Sequence, residues 1–152
     1  MSKENVALIQ GIYQAFGSGD IPGAFGRMSP QIVWNEAENF PYADKNPYIG
    51  PDAVGAGVFG RIGAEWDGFN PGPYEFLDAG DAVVVLCRYK GTFKATGKSI
   101  DAQVVHLWRV KDGKAASFQQ YADTLQVARA MGKARTQIQR WIKRYGIDSD
   151  QA

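Results

Sequence analysis

Histidine occurs once in this 152-residue chain, at position 106, two residues before Trp108. An imidazole titrates near neutral pH, so it can donate, accept or shuttle a proton. Its setting, Ser99 to Thr124, reads as two long strands joined by Asp112-Gly113, a dipeptide suited to the positive φ values of a type I′ turn. A two-residue loop pairs Lys111 with Lys114 and sets His106 opposite Gln119. Side chains alternate along a strand, so Ala102, Val104, His106 and Trp108 then share a face with Ser117, Gln119, Tyr121 and Asp123. That face gathers an imidazole, an indole, a phenol and a carboxylate. A bulge in the hairpin would flip part of the assignment.

The overall charge narrows the classes of partner. Lysine and arginine number 17 against 16 acidic residues, so no global field draws nucleic acid or an anionic membrane. Lys133, Arg135, Arg140, Lys143 and Arg144 cluster near the C-terminus and fit the solvated face of a helix. Cys87 is the single cysteine and follows the apolar run Val83 to Leu86, where it reads as a buried small hydrophobe. With one histidine and one cysteine, no metal site is expected. No apolar run is long enough to span a bilayer, and the first residues lack a signal peptide's apolar region, which suits a soluble cytoplasmic protein.

The elements that must position these groups follow from periodicity. Residues 3–17 place Val6, Ile9, Tyr13 and Phe16 at helical spacing, widened by Ala7, Leu8 and Ile12, between a Ser2 cap and Gly17. Asp20 caps a short second helix with Pro22 in its first turn. Residues 32–37 then read as a strand, with Val33 and Asn35 on one face and Trp34 and Glu36 on the other. Residues 38–51 hold three prolines and three aromatics, Phe40, Tyr42 and Tyr48. Such a loop either lids a cavity or is pinned to the surface by its own rings. A third helix over 52–66 carries Gly55, Gly57, Gly60 and Gly63, each costing about 1 kcal/mol relative to alanine. They suit close packing or room for a ligand. Strands over 74–77, 82–93, 99–110 and the return arm make a four-strand antiparallel meander. Residues 125–145 form one amphipathic helix, or two hinged near Gly132. Helices followed by a curved sheet give an α+β domain with a pocket between the layers.

This order and its motifs resemble the nuclear transport factor 2-like superfamily, most closely the SnoaL-like branch. The matching segments are Tyr13-Gln-Ala-Phe-Gly-Ser-Gly-Asp20, Val33-Trp34-Asn35-Glu36, Gly80-Asp81 before a strand, His106-Leu-Trp-Arg-Val-Lys-Asp-Gly-Lys114, and Tyr121-Ala-Asp123. The resemblance covers roughly residues 4–131. It implies a domain over 1–131, with a cone-shaped curved antiparallel sheet, N-terminal helices covering a deep apolar cavity, and a helical extension over 132–152. It also implies a homodimer that needs no cofactor and takes a small hydrophobic molecule. The branch includes ketosteroid isomerases, polyketide cyclases, epoxide hydrolases, dehydratases and members that only bind, so fold leaves the activity open.

Residue by residue, Glu36 falls where ketosteroid isomerases place the general base, with Trp34 as an apolar wall; the alternative is an exposed or salt-bridged carboxylate. His106 falls near their acidic donor to the oxyanion, a departure that argues against steroid-type isomerisation; the alternative is a core histidine satisfied by Gln119 or Tyr121. Tyr13 resembles their tyrosine donor, one residue closer to the turn. Asp123 matches an aspartate that cyclase-like relatives use, yet Asp123-Thr-Leu-Gln126 also fits a helix cap. Phe16, Tyr48, Phe59, Trp108, Gln119 and Tyr121 would line the pocket. The chemistry implied is proton transfer beside a carbonyl: isomerisation, aldol-type cyclisation or dehydration. A non-catalytic binding or dimerisation module is the alternative.

Overall fold

The structure is a computed structural model that describes residues 2–133 and 144–146. Helix α1 (Ser2–Gly17) buries Ile9, Ile12 and Tyr13 of the expected stripe, with Ala15 in addition, while Val6 and Phe16 are partly buried and Ala7 is exposed. Helix α2 (Ile21–Gly26) starts at Asp20, whose carboxylate accepts the Gly23 N–H at 2.9 Å. Strand β1 (Met28–Asn35) carries Trp34 and, just beyond its end, Glu36 on the buried side.

The chain then crosses a 3₁₀ turn (Ala43–Lys45), the two-residue strand β2 (Tyr48–Ile49), and a helical stretch. That stretch is α3 (Pro51–Val54), a π-helical turn (Gly55–Phe59) and α4 (Gly60–Glu65). Here the glycines serve packing. A Cβ on Gly57 would lie 2.2 Å from the Tyr48 ring, and one on Gly55 would lie 3.2 Å from Phe25. Phe40, Tyr42 and Tyr48 are all buried, so the long segment is pinned by its own rings.

Strands β3 (Trp66–Asn70), β4 (Pro73–Ala79), β5 (Ala82–Phe93), β6 (Ser99–Lys111) and β7 (Lys114–Ala122) complete the sheet before helix α5 (Thr124–Ala130). The strand order is β2-β1-β7-β6-β5-β3, with β4 also paired to β5. The meander β4 to β7 is antiparallel, as the turn chemistry predicts, while β1 lies parallel to β7. One element is added to those expected. Residues 66–70 add a strand to β5 where the helix was expected to end. The proposed helical extension over 132–152 falls largely outside the described residues.

The β6–β7 turn forms as read, with φ of 51° at Asp112 and 72° at Gly113 and Lys111 opposite Lys114. A bulge then intervenes: Val110 faces Ala115 while Arg109 faces Ser117, leaving Ala116 as the extra residue. The slip sets His106 opposite Gln120 rather than Gln119. Phe118 and Gln120 therefore turn inward with His106 and Trp108. Helices and sheet enclose one core, in which Ile9, Ile12, Ile32, Val54, Val83, Val85 and Val127 are all fully buried. Each such side chain contributes roughly 1.5–3 kcal/mol relative to exposure.

Candidate functional site

Three strands and one helix aim polar groups into this apolar interior. His106, on β6, is 4% exposed and lies between two phenols. Its Nδ1 is 2.5 Å from the Tyr13 hydroxyl on α1, and its Nε2 is 2.5 Å from the Tyr89 hydroxyl on β5. Each phenol oxygen also accepts a fixed N–H: Trp108 Nε1 donates to Tyr13 at 2.9 Å, and Gln120 Nε2 donates to Tyr89 at 2.8 Å. The five side chains form one buried polar chain, in which each hydrogen bond strengthens its neighbours in the low-dielectric interior. Burial pulls the His106 pKa down to about 3, so the imidazole is neutral across the physiological range. Burial pushes both phenols up, keeping them protonated.

Glu36 is the second centre. It is 3% exposed, and its side chain has one hydrogen bond, from the Trp34 indole to Oε1 at 3.3 Å. Its Oε2 is buried and has no partner among the described residues. Desolvation raises its pKa from 4.5 to about 8, opposed by the Trp34 N–H and by the charge of Arg61. The backbone around Glu36 is fixed from both sides: the Asn46 side chain bonds its N–H and its C=O, and Ala37 donates to Gln120 Oε1 at 3.0 Å. Gln120 thus ties the Glu36 end of β1 to the histidine chain. The Tyr89 hydroxyl lies within reach of Glu36's charge, which adds to the rise in its pKa.

A third cluster closes the loop over residues 38–50. Arg61 binds Asp44 at 2.6 Å, the Tyr48 hydroxyl at 3.0 Å and the Gly57 carbonyl at 2.6 Å. Its guanidinium also stacks 4.8 Å above the Tyr42 ring. Tyr42 in turn donates to Glu65 at 2.7 Å and accepts from Trp66 at 3.0 Å.

The profile of the SnoaL-like domain matches residues 9–118, most of the segment just described. The chain belongs to the SnoaL-like domain family.

Solved structures agree. An NTF2-like protein of Burkholderia thailandensis E264 is 39% identical, with a TM-score of 0.79 over 83% of this chain and 95% of its own. An NTF2-like protein of Burkholderia pseudomallei K96243 is 27% identical, with a TM-score of 0.75 over 84% and 96%. IdmH of Streptomyces antibioticus, a candidate polyketide cyclase, shares the fold at 22% identity, with a TM-score of 0.68 over 83% and 96%. No curated protein matches the chain.

In this SnoaL-like chain the structure unites Tyr13, His106 and Trp108 directly, and places Trp34 against Glu36. Phe16 and Phe59 pack at 4.6 Å between ring centres, and Phe59 meets Trp34 at 5.6 Å. Four positions fall elsewhere. Tyr121 is 56% exposed and Gln119 bonds its neighbour's carbonyl, both displaced from the buried face by the hairpin bulge. Asp123 is exposed and caps α5, accepting the Gln126 N–H at 3.2 Å. Tyr48 belongs to the Arg61 cluster and donates to the Tyr42 carbonyl. Tyr89 and Gln120 are the additions. Alternation along β5, with Val83, Val85, Cys87 and Tyr89 all buried, was the available signal for Tyr89.

Proposed function

We propose that this SnoaL-like protein binds a small, mostly hydrophobic organic molecule beside Glu36 and catalyses proton transfer next to a carbonyl. The reaction class is isomerisation, aldol-type cyclisation or dehydration. The observation that carries this reading is the Glu36 carboxyl: buried beside the Trp34 indole, raised to about 8, with one oxygen unpartnered among the described residues. A carboxyl poised near neutral pH can both take and return a proton. The chain of neutral groups around His106, Tyr13 and Tyr89 has an uncharged O–H to spare, the kind of donor that a developing oxyanion needs. IdmH, a candidate polyketide cyclase of the same fold, supports the class of chemistry by analogy alone.

The alternative, a binding module without turnover, draws on one fact: the Glu36 side chain touches no member of the His106 chain through a hydrogen bond of its own. Exposed Val33, Ile49, Tyr74, Leu77 and Tyr121 support pairing with a second copy of the chain.

Native mass spectrometry after incubation with a metabolite extract tests the reading, since one adduct gives both ligand mass and subunit count. The ligand released from wild type and from Glu36→Gln is then compared. Rearrangement or water loss in wild type alone supports catalysis by Glu36; unchanged ligand from both supports the binding module.

A further inference from the structure

The His106 chain contains one more hydrogen than its internal links can use. A neutral imidazole has one N–H, and each phenol has one O–H. Those three hydrogens serve two links, Tyr13 to Nδ1 and Nε2 to Tyr89, and each link holds one. Trp108 and Gln120 only donate into the chain, so neither absorbs the surplus. The surplus hydrogen therefore sits on whichever phenol does not donate to the imidazole.

The tautomer of His106 decides which phenol that is. With the proton on Nδ1, the imidazole donates to Tyr13 and Tyr89 donates to Nε2. The spare O–H is then that of Tyr13, beside the buried Cys87 thiol, which lies 3.7 Å from Nδ1. With the proton on Nε2, every link reverses, and the spare O–H is that of Tyr89. Both arrangements carry the same hydrogens and no net charge, so only the imidazole proton changes nitrogen while the phenols turn.

Tyr89 is the phenol on the Glu36 side. Gln120 holds its oxygen with one end and the Ala37 N–H with the other. Glu36 Oε2 stands unpartnered and buried in the same region. A protonated Glu36 is a donor in want of an acceptor; an ionised Glu36 is an acceptor in want of a donor. We propose that Tyr89 is the hydrogen-bond donor that faces Glu36 across the substrate, and that His106 acts by its tautomer, turning the Tyr89 O–H toward or away from that space. Tyr13 and Gln120 are then positioning residues. This assignment rests on Glu36 being the proton-transfer group, and it moves the substrate-facing donor from α1 to β5.

The groups facing His106 are Tyr13 from α1, Cys87 and Tyr89 from β5, and Phe118 and Gln120 from β7. None of them ionises near neutral pH: burial raises both phenols and takes the thiol to about 12. Arg61 is the charged side chain whose field reaches Glu36. A change of tautomer through mildly alkaline pH therefore reports Glu36.

Because the chain has a single histidine, 15N-histidine labelling reads this one ring without assignment. The experiment follows its two nitrogen shifts in ligand-free protein from about pH 6 to about pH 10, spanning the Glu36 midpoint of about 8. In wild type the Nε2–H to Nδ1–H ratio rises severalfold, because the ionised Glu36 acts on Tyr89 through space and favours the arrangement that turns the Tyr89 O–H toward it. Glu36→Gln and Tyr89→Phe, each checked for folding by its proton spectrum, both flatten the response. The proposal is overturned if the wild-type ratio stays constant while the Glu36 carboxyl titrates, or if Tyr89→Phe responds as wild type does. The readout needs no substrate. A constant ratio leaves the Glu36 base standing, whereas unchanged turnover in Glu36→Gln removes that base whatever the tautomer does.

Discussion

The Trp34 indole N–H reaches Glu36 Oε1, two residues further along the same chain, at 3.3 Å, and among the described residues it is the only donor to that carboxyl. One long hydrogen bond does not offset desolvation, so Glu36 folds with its pKa at about 8 rather than 4.5. Between those values the folded state holds a proton that the unfolded state has lost. Stability therefore falls as pH rises from about 4.5 to about 8. His106 acts in the opposite sense: its folded pKa of about 3 against 6.5 makes stability fall as pH drops from 6.5 toward 3. From these two groups the profile is flat between about 4.5 and 6.5, where the slopes cancel, and drops on either side. Urea unfolding of Glu36→Gln should lose the alkaline drop, gaining about 2 kcal/mol relative to wild type between pH 6.5 and 8. A parallel profile would show that Glu36 is already ionised in the fold.

Turnover follows the same carboxyl. As a base Glu36 must be ionised, and with a midpoint of about 8 only about a tenth of it is so at pH 7. Once a substrate is in hand, kcat/KM should climb roughly tenfold from about pH 7 to about pH 10 and then level off. His106 adds no limb near 6.5, because it is neutral there. A rate that instead halves near pH 6.5 would place imidazole ionisation in the reaction.

Much of this arrangement was legible in the sequence, and the exceptions have physical causes. Alternation over Val33 to Glu36 placed Trp34 beside Glu36, and the Asp112-Gly113 turn fixed the end of the hairpin. What alternation does not contain is a bulge. One extra residue at Ala116 moved Gln120 inward and turned Gln119 and Tyr121 out. Tyr89 lay in a run apolar enough to read as core, and only its distance to a histidine seventeen positions later marks it as polar machinery. Capping and catalysis compete for aspartate in the same local pattern, so Asp123 needed coordinates to decide.

Asp123 supplies the third prediction. Its carboxylate accepts the Gln126 N–H, and Gln126 returns a side-chain donor at 3.3 Å. Asp123→Ala should cost about 1 kcal/mol in thermal unfolding, the ordinary value of a lost cap. Asp123→Ser, which also caps, should restore most of that stability. A serine cannot replace a catalytic carboxylate, so turnover that collapses in the serine variant would return Asp123 to the reaction.

Arg61 couples the loop to the acid. It binds Asp44, Tyr48 and the Gly57 carbonyl, and holds the Asp44 carboxyl down at about 2. It also carries the positive charge that opposes the rise of the Glu36 pKa. Arg61→Met keeps the apolar stem and removes both effects. Stability should fall by about 1–2 kcal/mol, the range for a partly exposed charged hydrogen-bond group. Exchange should accelerate most at the Phe40, Ala43 and Asn46 amides, whose turn bonds the Arg61 cluster braces. The Glu36 midpoint, followed by its carboxyl 13C shift, should move above its wild-type value because an opposing charge is gone. Uniform acceleration across the sheet with no shift at Glu36 would reduce Arg61 to a general stabiliser. Faster loop exchange together with a raised midpoint would establish that the segment over residues 38–50 and the acid at its base are held by the same guanidinium.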